Sequence, residues 1–423
     1  MNDFIEELKW RGMLQDMTPG LEKHLASGKR KAYIGFDPTA PSLTIGNYVP
    51  IMLLTFLQRA GHQPVVLMGG ATGRIGDPSG KDAERQLKSY EELDRNLRFQ
   101  EEQFRRLLNF EEGENRALLV NNFDFYKDMN VLDFLREVGK TLTINYMMSK
   151  ESVKKRIDSG LSFTEFSYQL LQGYDFYKLY KEHGITIQMG GSDQWGNITA
   201  GTEFIRKKTG GKGEAYALTA PLLTKADGKK FGKSEKGNIW LDPALTSPYQ
   251  FFQFWINADD RDLPKYLRYF SLKSREEIEA LEQEHRDNPR AIKAVLAEEL
   301  TSRIHGEEAF RAAQSVSALL FNHRLKREEL LQMPEEVLAQ VAEEIPCFPI
   351  SQERLSANPS LADLLTETGI TPSKSDVRRN IQAIALNKQK YSSHEDTIGP
   401  DQLLHGRYIL VEKGKKNKFM LKA

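Results

Sequence analysis

Two polar stretches, far apart in the chain, carry residue types that bind polyphosphates. The first, Y-I-G-F-D-P-T-A-P-S-L-T-I-G-N over residues 33–47, offers hydroxyls and an amide at a turn or near a helix start, from Thr39, Thr44 and Asn47. Such groups can donate to phosphate oxygens, and the N–H groups of a helix N-terminus attract anions. Gly46 would let a flat base approach the backbone. Taken alone, the stretch fits an ordinary loop that caps a helix equally well.

The second stretch is K-A-D-G-K-K-F-G-K-S, over residues 225–234. Its two glycines predict a mobile loop. Lys230, Lys233 and Ser234 could close over a polyphosphate, since lysine is a flexible point charge. Charges that engage mainly in the transition state raise the rate as well as the binding. The same string also fits an exposed basic hairpin.

Two further stretches could hold an ammonium group and a ribose. In Y-Q-L-L-Q-G-Y-D, Tyr168, Gln172 and Asp175 share one face if the segment is helical. An aromatic, an amide and a carboxylate together can hold an ammonium or a hydroxyl. Q-M-G-G-S-D-Q-W-G-N, over residues 188–197, places an acid and glycines after a strand, where ribose hydroxyls are often held. A polar helix face and a chain-reversing turn are the alternatives.

The sequence lacks the patterns of other catalytic chemistries. It contains no Walker phosphate loop, no metal-ligand spacing among its eight histidines, and no Ser-His-Asp arrangement that can be placed. Chemistry that positions phosphates is therefore favoured over nucleophilic catalysis. We expect no protein-bound structural metal.

A predicted strand, helix and parallel strand would position the first stretch. Residues 32–34 begin a short strand, and Ser42 is the expected helix cap. Apolar residues then recur on one helical face until Gly61, and residues 64–68 form the next buried strand. Ligands bind beyond the carboxyl ends of such strands. The same alternation continues to about residue 240 and predicts an α/β fold with a doubly wound, Rossmann-like parallel sheet.

Four parts are predicted along the chain. Residues 1–240 form the Rossmann-like catalytic domain, and residues 241–329, where strand signals fade, form an α-helical domain. Residues 330–359 contain four prolines and are typical of a linker. Residues 360–423 form a small α+β domain, and the last nineteen residues have six basic side chains and one acidic one. That basic end could bind a phosphate backbone or be a solvated tail.

Composition limits the class of protein. The chain has 423 residues and no net charge, so any nucleic-acid contact must come from local patches. Its one cysteine, Cys347, excludes an internal disulfide and favours a reducing cytoplasm. We see neither a signal peptide nor the roughly 18 apolar residues that a membrane helix needs. A cytoplasmic protein without membrane contact is therefore expected.

Together the motifs resemble those of bacterial tyrosyl-tRNA synthetases, which are class I aminoacyl-tRNA synthetases. The resemblance covers essentially the whole chain and rests on GFDPTAPSL, GGATGRIGDPSGK, NYMMSKESV, SFTEFSYQLLQGYDF, QMGGSDQWGNITAG, TKADGKKFGKS and TSPYQFFQFWIN. It implies that L-tyrosine is activated with ATP, accompanied by Mg²⁺, and that pyrophosphate is released. Tyrosine would then pass to the terminal ribose of tRNA(Tyr), and no side chain would be covalently modified.

The resemblance also implies roles for the matching positions. Residues around the amino-acid substrate would be Tyr33 and Asp175 on the phenol, Asp77, Tyr168 and Gln172 on the ammonium, and Asn122 and Gln188 in support. Residues around the nucleoside would be Gly35, Asp37, Gly46, Gly191 and Asp193, with Asp193 on the ribose and the Asp37 backbone beside the α-phosphate. Residues around the reacting phosphates and pyrophosphate would be Thr39, Thr44, Asn47, Lys81, Arg85, Lys230, Lys233 and Ser234.

The tail resembles an S4-type RNA-binding domain, on G-I-T-P-S-K-S-D-V-R-R-N-I-Q over residues 369–382. The resemblance implies tRNA contacts from Arg378, Arg379, Lys415, Lys416 and Lys418, and places the helical middle domain against the anticodon arm. The glycines usual in the next turn are absent from Q-A-I-A-L-N-K-Q. Family members are homodimers, and the apolar segment 123–148 is expected at that interface.

The first signature of the family departs from its usual form. H-I-G-H is replaced by residues 44–47, T-I-G-N, so both imidazoles are missing. A non-catalytic RNA-binding relative is therefore one alternative. T-I-G-N followed by tyrosine also resembles the form found in tryptophanyl-tRNA synthetases, which makes tryptophan a second alternative substrate. The F-D-P turn, the K-F-G-K-S loop and the S4-like tail favour tyrosine.

Overall fold

A computed structural model describes residues 3–79, 86–157, 160–234, 237–322, 324–414 and 417–423. The chain forms two compact units. The first unit contains residues 1–247 and 254–300, and the second contains residues 248–253 and 301–423.

The first unit is built on a parallel sheet. Its strands are β1 Asp16–Met17, β2 Lys31–Phe36, β3 Gln63–Met68, β4 Leu118–Asn121, β5 Ile187–Gly191, β6 Tyr216–Ala220, β7 Lys233–Ser234 and β8 Gly237–Asn238. Six of them form a sheet of order β1-β6-β5-β2-β3-β4, in which only β1 is antiparallel to its neighbour. Every residue of β3 is buried, as expected where helices cover both faces. The predicted doubly wound sheet is confirmed.

Helices connect the strands and continue beyond them. They are α1 Phe4–Arg11, α2 Leu21–Ala26, α3 Ile45–Arg59, α4 Tyr90–Leu107, α5 Val131–Phe134, α6 Ile144–Met148, α7 Glu151–Ile157, α8 Phe163–His183, α9 Trp195–Lys208, α10 Pro248–Ile256, α11 Leu263–Phe270, α12 Arg275–Glu284 and α13 Pro289–His305. Residues of α10 and α13 belong to both units. In the part of the chain described, each helix is too short or too polar to cross a lipid bilayer.

The carboxyl ends of three neighbouring strands lie side by side. Phe36 at the end of β2 pairs with Met68 at the end of β3, which pairs with Asn121 at the end of β4. The chain then turns at each end. At Gly69 a Cβ atom would lie 2.1 Å from Oδ1 of Asp37, so glycine is needed there. The sheet thus brings side chains of distant segments to one edge.

The second unit combines helices with a small sheet. Its further helices are α14 Glu307–Phe321, α15 Arg327–Leu331, α16 Glu335–Glu344, α17 Gln352–Ser356, α18 Leu361–Glu367 and α19 Lys374–Asn380. Its strands are β9 Cys347–Pro349, β10 Ile384–Leu386, β11 Gln389–Lys390, β12 Tyr408–Lys413 and β13 Asn417–Lys422. They form a five-stranded sheet of order β11-β10-β12-β13-β9. Apolar side chains of α18 and α19 pack on this sheet.

Residues 330–359 differ from the predicted linker. They include α16, whose Leu338 and Val341 are fully buried, and β9, which pairs with β13. Two of the four prolines lie at positions where regular secondary structure tolerates proline. Pro334 is the N-cap of α16, and Pro349 ends β9, an edge strand in which a missing N–H is tolerated. Proline content alone therefore suggested a linker where a packed segment exists.

The turn that lacks its usual glycines is closed by Asn387 and Lys388. Both adopt positive φ, 48° and 67°, between β10 and β11. Such a conformation costs roughly 1–3 kcal/mol per residue in a non-glycine residue. Side-chain bonds offset this cost, because Asn387 donates to the Gln402 carbonyl at 2.6 Å and accepts from the Leu410 N–H at 2.9 Å. The turn keeps the left-handed geometry without glycine.

Candidate active site

A cavity of about 850 Å³ opens at the carboxyl edge of the first unit's sheet. Most of the site residues predicted from the sequence line it: Tyr33, Gly35, Asp37, Thr39, Thr44, Gly46, Asn47, Asp77, Tyr168, Gln172, Gln188, Gly191, Asp193, Lys230 and Lys233. Asn122 and Asp175 lie behind this lining and are reached through hydrogen bonds. Lys81 and Arg85 lie outside the described residues, and of Ser234 only the backbone is described.

One end of the cavity holds a buried carboxyl group. Asp175, on α8, is 1% exposed; its Oδ2 accepts a hydrogen bond from Asn122 Nδ2 at 2.8 Å, and its Oδ1 lies 2.7 Å from the Tyr126 hydroxyl oxygen. Burial raises the pKa of Asp175 to about 7. Tyr33 on β2 is fully buried, and its hydroxyl has no hydrogen-bond partner among the described residues. This end therefore presents an acceptor and an unpaired donor.

A second polar group is centred on Asp37, directly after β2. Its carboxylate accepts from the Thr72 hydroxyl at 2.6 Å and from the Tyr168 hydroxyl at 2.9 Å. Thr72 also accepts from Asn122 at 3.0 Å, which links this group to the buried carboxyl end. Burial, and then the charge of Asp37, raises the pKa of Tyr168 well above its ordinary value, so this phenol stays protonated. The side chain of Asp37, expected to act only through its backbone, thus orients Tyr168.

The residues predicted to hold an ammonium group, together with the predicted supporting residue Gln188, approach the cavity from three segments. Asp77 accepts from Gln194 Nε2 and from the Ser79 N–H, both at 2.8 Å. Gln172 on α8 and Gln188 on β5 each have a buried Oε1 that lacks a donor among the described residues. A buried oxygen that accepts no hydrogen bond lowers the stability of the fold unless a ligand supplies the donor. A cationic group with several N–H bonds would satisfy them.

Thr44 and Asn47 form a reciprocal cap at the start of α3. The Asn47 N–H donates to Thr44 Oγ1 at 3.3 Å, and the Thr44 N–H and hydroxyl donate to Asn47 Oδ1 at 3.0 and 2.8 Å. The helix cap is therefore Thr44 and not Ser42, whose hydroxyl donates to the Leu43 carbonyl. Two donors on Oδ1 assign the amide orientation, so Nδ2 is the end available to a ligand.

The lysine-rich loop packs against the same helix start. Gly232, at φ 82°, lies so close that a Cβ atom would be 2.8 Å from Ile45 Cγ2 and 3.2 Å from the Gly46 nitrogen. The Ile45 N–H donates to the Ile239 carbonyl at 2.9 Å. Lys230 and Lys233 are exposed at the cavity. Two cations and the positive end of a helix thus lie at one end of the cavity, where an anion is favoured.

Comparison with known proteins agrees with this geometry. A family profile described as tRNA synthetases class I (W and Y) matches residues 26–322. The chain belongs to this family. A second profile, the tyrosine–tRNA ligase SYY-like C-terminal domain, matches residues 337–421.

Similar proteins extend the match to the whole chain. The tyrosine–tRNA ligase of Cytophaga hutchinsonii is 52% identical and is aligned over 100% of both chains. That of Porphyromonas gingivalis is 50% identical over 99% of both chains. A C-terminally truncated mitochondrial tyrosyl-tRNA synthetase of Aspergillus nidulans has a similar structure, with a TM-score of 0.69 and 28% identity, covering 76% of this chain and 95% of that chain.

The residues predicted to contact tRNA have different environments in the second unit. Arg378 and Arg379 are exposed on α19, whereas Lys415 and Lys416 lie outside the described residues. Lys418 is only 8% exposed, and its ammonium is bonded to Glu412. Glu412 stands directly opposite on the neighbouring strand, which explains why this lysine is paired and not presented to a ligand. The structure therefore does not support Lys418 as a tRNA contact.

Three residues of the site were missed by sequence reasoning. Thr72 and Gln194 line the cavity and bond Asp37 and Asp77, and Tyr126 bonds Asp175. Thr72 and Gln194 lie within quoted motifs, so their polarity was a usable signal. Tyr126 follows the end of β4 by five positions, and nothing in its local sequence distinguishes it from a core aromatic residue.

Proposed function

We propose that this synthetase activates L-tyrosine with ATP to tyrosyl-adenylate and pyrophosphate, and then transfers tyrosine to the 3′-terminal ribose of tRNA(Tyr). The observation that carries the proposal is that the buried Asp175 carboxyl and the unpartnered Tyr33 hydroxyl are neighbours. Tyr33 lines the cavity that the exposed Lys230 and Lys233 also line, and Asp175 lies directly behind that lining. The ligase names of relatives about 50% identical over the full chain support the same reaction.

The buried pair favours a phenol over an indole. The phenol of tyrosine both donates and accepts, so it could donate to Asp175 and accept from the Tyr33 hydroxyl. The indole N–H of tryptophan only donates, and it would leave the Tyr33 hydroxyl buried and unpaired. A phenyl ring would satisfy neither group. Leaving a buried polar group unpaired costs roughly 1–3 kcal/mol, which selects tyrosine over both competitors.

The ammonium group of the substrate is assigned to Asp77, Tyr168 and Gln172. Gln172 offers its buried Oε1, and Asp77 offers a carboxylate already oriented by Gln194. Tyr168 donates to Asp37 in this structure, so its oxygen lone pairs are the part left for an ammonium N–H. Asn122 and Gln188 support this pocket.

The nucleotide is assigned to the opposite part of the cavity. Gly46 and Gly191 would admit the base and sugar, Asp193 would bond the ribose, and the Asp37 and Gly35 backbone would lie beside the α-phosphate. The tyrosine carboxylate attacks the α-phosphorus and pyrophosphate leaves, so the protein positions charges and forms no covalent bond. The groups assigned to the phosphates are Thr39, Thr44, Asn47, Lys81, Arg85, Lys230, Lys233 and Ser234.

Magnesium would accompany the nucleotide in this proposal. Mg²⁺ is usually bound through substrate phosphates with one or two carboxylates, and the cavity offers the carboxylates Asp37, Asp77 and Asp193. Asp37 and Asp77 already accept two or more hydrogen bonds each and Asp193 is assigned to the ribose, so the nucleotide phosphates would be the main ligands of the ion. The ion would neutralise phosphate charge alongside the lysines.

The protein is proposed to bind tRNA through the second unit and to form a homodimer in the cytoplasm. Arg378 and Arg379 are exposed cations that can contact phosphates, and Lys415 and Lys416 are assigned the same role from the resemblance. For the dimer, the segment 123–148 exposes large apolar side chains, among them Val131 at 69%, Leu132 at 72% and Ile144 at 65%. Exposed apolar clusters of this kind mark protein–protein interfaces.

The direct test of the transfer step is charging of tRNA transcripts with labelled tyrosine. We expect acid-precipitable tyrosine on a tRNA(Tyr) transcript and none on a tRNA(Trp) transcript. RNA binding without charging, from protein that elutes as a folded dimer, would favour the non-catalytic alternative. Charging of the tRNA(Trp) transcript with tryptophan would favour the second alternative.

A further inference from the structure

The Tyr126 hydroxyl has a single hydrogen but lies within hydrogen-bond distance of two oxygen atoms. The Tyr126 hydroxyl oxygen lies 2.7 Å from Asp175 Oδ1 and 2.8 Å from the Leu171 carbonyl oxygen. A tyrosine hydroxyl has one hydrogen, and a carbonyl oxygen can only accept. If Tyr126 donates to an ionised Asp175, its oxygen faces the Leu171 oxygen at 2.8 Å with no hydrogen between them. If Asp175 carries a proton, both contacts are hydrogen bonds.

The surroundings of Asp175 also favour a neutral carboxyl group. Its hydrogen-bond partners in the described structure, Asn122 and Tyr126, are uncharged, and it is almost fully buried. A buried carboxylate without a cationic partner is expensive, and the group usually neutralises instead. The titratable groups that act on it are Tyr168 on its own helix and, from neighbouring elements, Tyr33 on β2, Asp37 after β2 and Tyr126 after β4. The only charge among them is negative, which further disfavours ionisation.

We infer that Tyr126 is a positioning residue for substrate selection: its hydroxyl accepts a hydrogen bond from the neutral Asp175 carboxyl group and donates one to the Leu171 carbonyl. This relay fixes the rotation of the protonated carboxyl group before the substrate binds. The inference rests on the proposed function, because it assigns the oriented carboxyl to recognition of the tyrosine phenol.

The relay has a consequence for specificity. With Oδ1–H directed to Tyr126 and Oδ2 accepting from Asn122, the remaining lone pairs of Asp175 are held toward its other neighbours. A substrate phenol could then donate to the carboxyl without any charge being buried with it. Rotation of an unheld carboxyl would instead allow its proton to point at the substrate, where it competes with the donor Tyr33.

The first test is the titration of Asp175 in the substrate-free protein. Aspartate labelled with ¹³C at Cγ reports the protonation of each carboxyl by NMR, and the Asp175→Asn variant assigns the signal. We expect the wild-type signal to titrate near neutral pH. In Tyr126→Phe we expect the midpoint to fall, because the protonated form loses its acceptor. A midpoint that rises would show that Tyr126 donates to a carboxylate, and a midpoint that does not move would show no relay; either result overturns the inference.

A matched control is available next to Tyr126. Tyr174 packs against it with ring centroids 5.6 Å apart, and its hydroxyl makes no described bond to Asp175. Tyr174→Phe therefore removes a phenol from the same cluster and is expected to leave the Asp175 midpoint unchanged. Thermal unfolding of both variants confirms that each retains the fold.

The second test is kinetic. In tyrosine-dependent exchange of pyrophosphate into ATP, Tyr126→Phe is expected to raise KM for tyrosine about tenfold with kcat nearly unchanged, as for one lost hydrogen bond in substrate binding. A fall in kcat of about tenfold, with no change in KM for tyrosine, would contradict a positioning role. If no amino acid supports exchange, the proposed function fails, whereas the titration still decides the relay because it needs no substrate.

Discussion

The reciprocal cap at the start of α3 predicts that Thr44 and Asn47 have different roles in the T-I-G-N signature. The Thr44 hydroxyl donates a hydrogen bond to Asn47 Oδ1, whereas the Nδ2 group of Asn47 remains available at the cavity. Asn47 should therefore contact phosphate, and Thr44 should act through Asn47. The perturbations are Asn47→Ala, Thr44→Val and the double variant, with Thr44→Ser as the control that retains the hydroxyl.

Magnitudes follow from the bonds that each change removes. Asn47→Ala removes a hydrogen-bond donor to the negative charge that develops on the phosphates in the transition state. We expect kcat to fall roughly 10²- to 10³-fold. Thr44→Val removes the hydroxyl that caps the Asn47 N–H and one of the two bonds that hold Oδ1, leaving the bond from the Thr44 N–H. It should lower the free energy of unfolding by about 1 kcal/mol, as for a lost cap, and lower kcat by about tenfold through a less oriented amide.

The assay is pyrophosphate exchange at saturating tyrosine and ATP, with urea unfolding in parallel. If Thr44 acts through Asn47, the double variant should have the same kcat as Asn47→Ala, so the two effects are fully coupled. Thr44→Ser should stay within a fewfold of wild type. Additive losses in the double variant would refute the reasoning, since they would mean that Thr44 contacts the nucleotide independently.

Four further predictions concern other parts of the molecule. Asp175→Ala should reduce discrimination between tyrosine and phenylalanine in exchange by about 10- to 100-fold, because a buried phenol loses its acceptor; an unchanged ratio would remove Asp175 from the pocket. Asp175 has a folded pKa of about 7, above its unfolded value near 4, so wild-type stability is lost as pH rises from about 4 to about 7. Asp175→Asn should therefore gain free energy of unfolding relative to wild type at pH 8 and gain little at pH 4, and equal gains in urea titrations at both pH values would contradict this. Gly232→Ala places a Cβ atom 2.8 Å from Ile45 Cγ2 at positive φ and should lower kcat and destabilise the protein by about 1 kcal/mol; an unchanged melting temperature and kcat would show that the loop does not need this contact. Arg378→Ala should weaken tRNA binding and reduce the salt-dependence slope by about 0.7–0.9, whereas Lys418→Met should leave the slope unchanged, as judged by filter binding at several salt concentrations; a reduced slope in Lys418→Met would restore this lysine as a tRNA contact.

Much of the fold could be predicted because the relevant signals are local. The alternation of helix and strand periods identified the parallel sheet, and the four-and-three spacing placed Tyr168, Gln172 and Asp175 together on α8. Strand ends also predicted where the cavity would lie, because the carboxyl edges of parallel strands converge. The cavity residues were found largely through these two rules and the motif resemblance.

What could not be predicted depends on contacts between distant segments. Tyr126 and Asp175 meet only after β4 and α8 have packed, so no spacing rule links them. The burial of Lys418 follows from the β12–β13 register, which sets it opposite Glu412 and which the local sequence does not specify. The turn at Asn387 needed side-chain bonds to Gln402 and to Leu410 on β12, which composition alone does not reveal.

The most direct measurement is amino-acid-dependent exchange of labelled pyrophosphate into ATP, with tyrosine, tryptophan and phenylalanine compared on the same Mg²⁺-containing preparation. Exchange with tyrosine alone is expected, and it would show that T-I-G-N supports activation and that the Tyr33–Asp175 pair selects the phenol. Exchange with tryptophan in place of tyrosine, or no exchange from folded protein, would contradict the proposed activity.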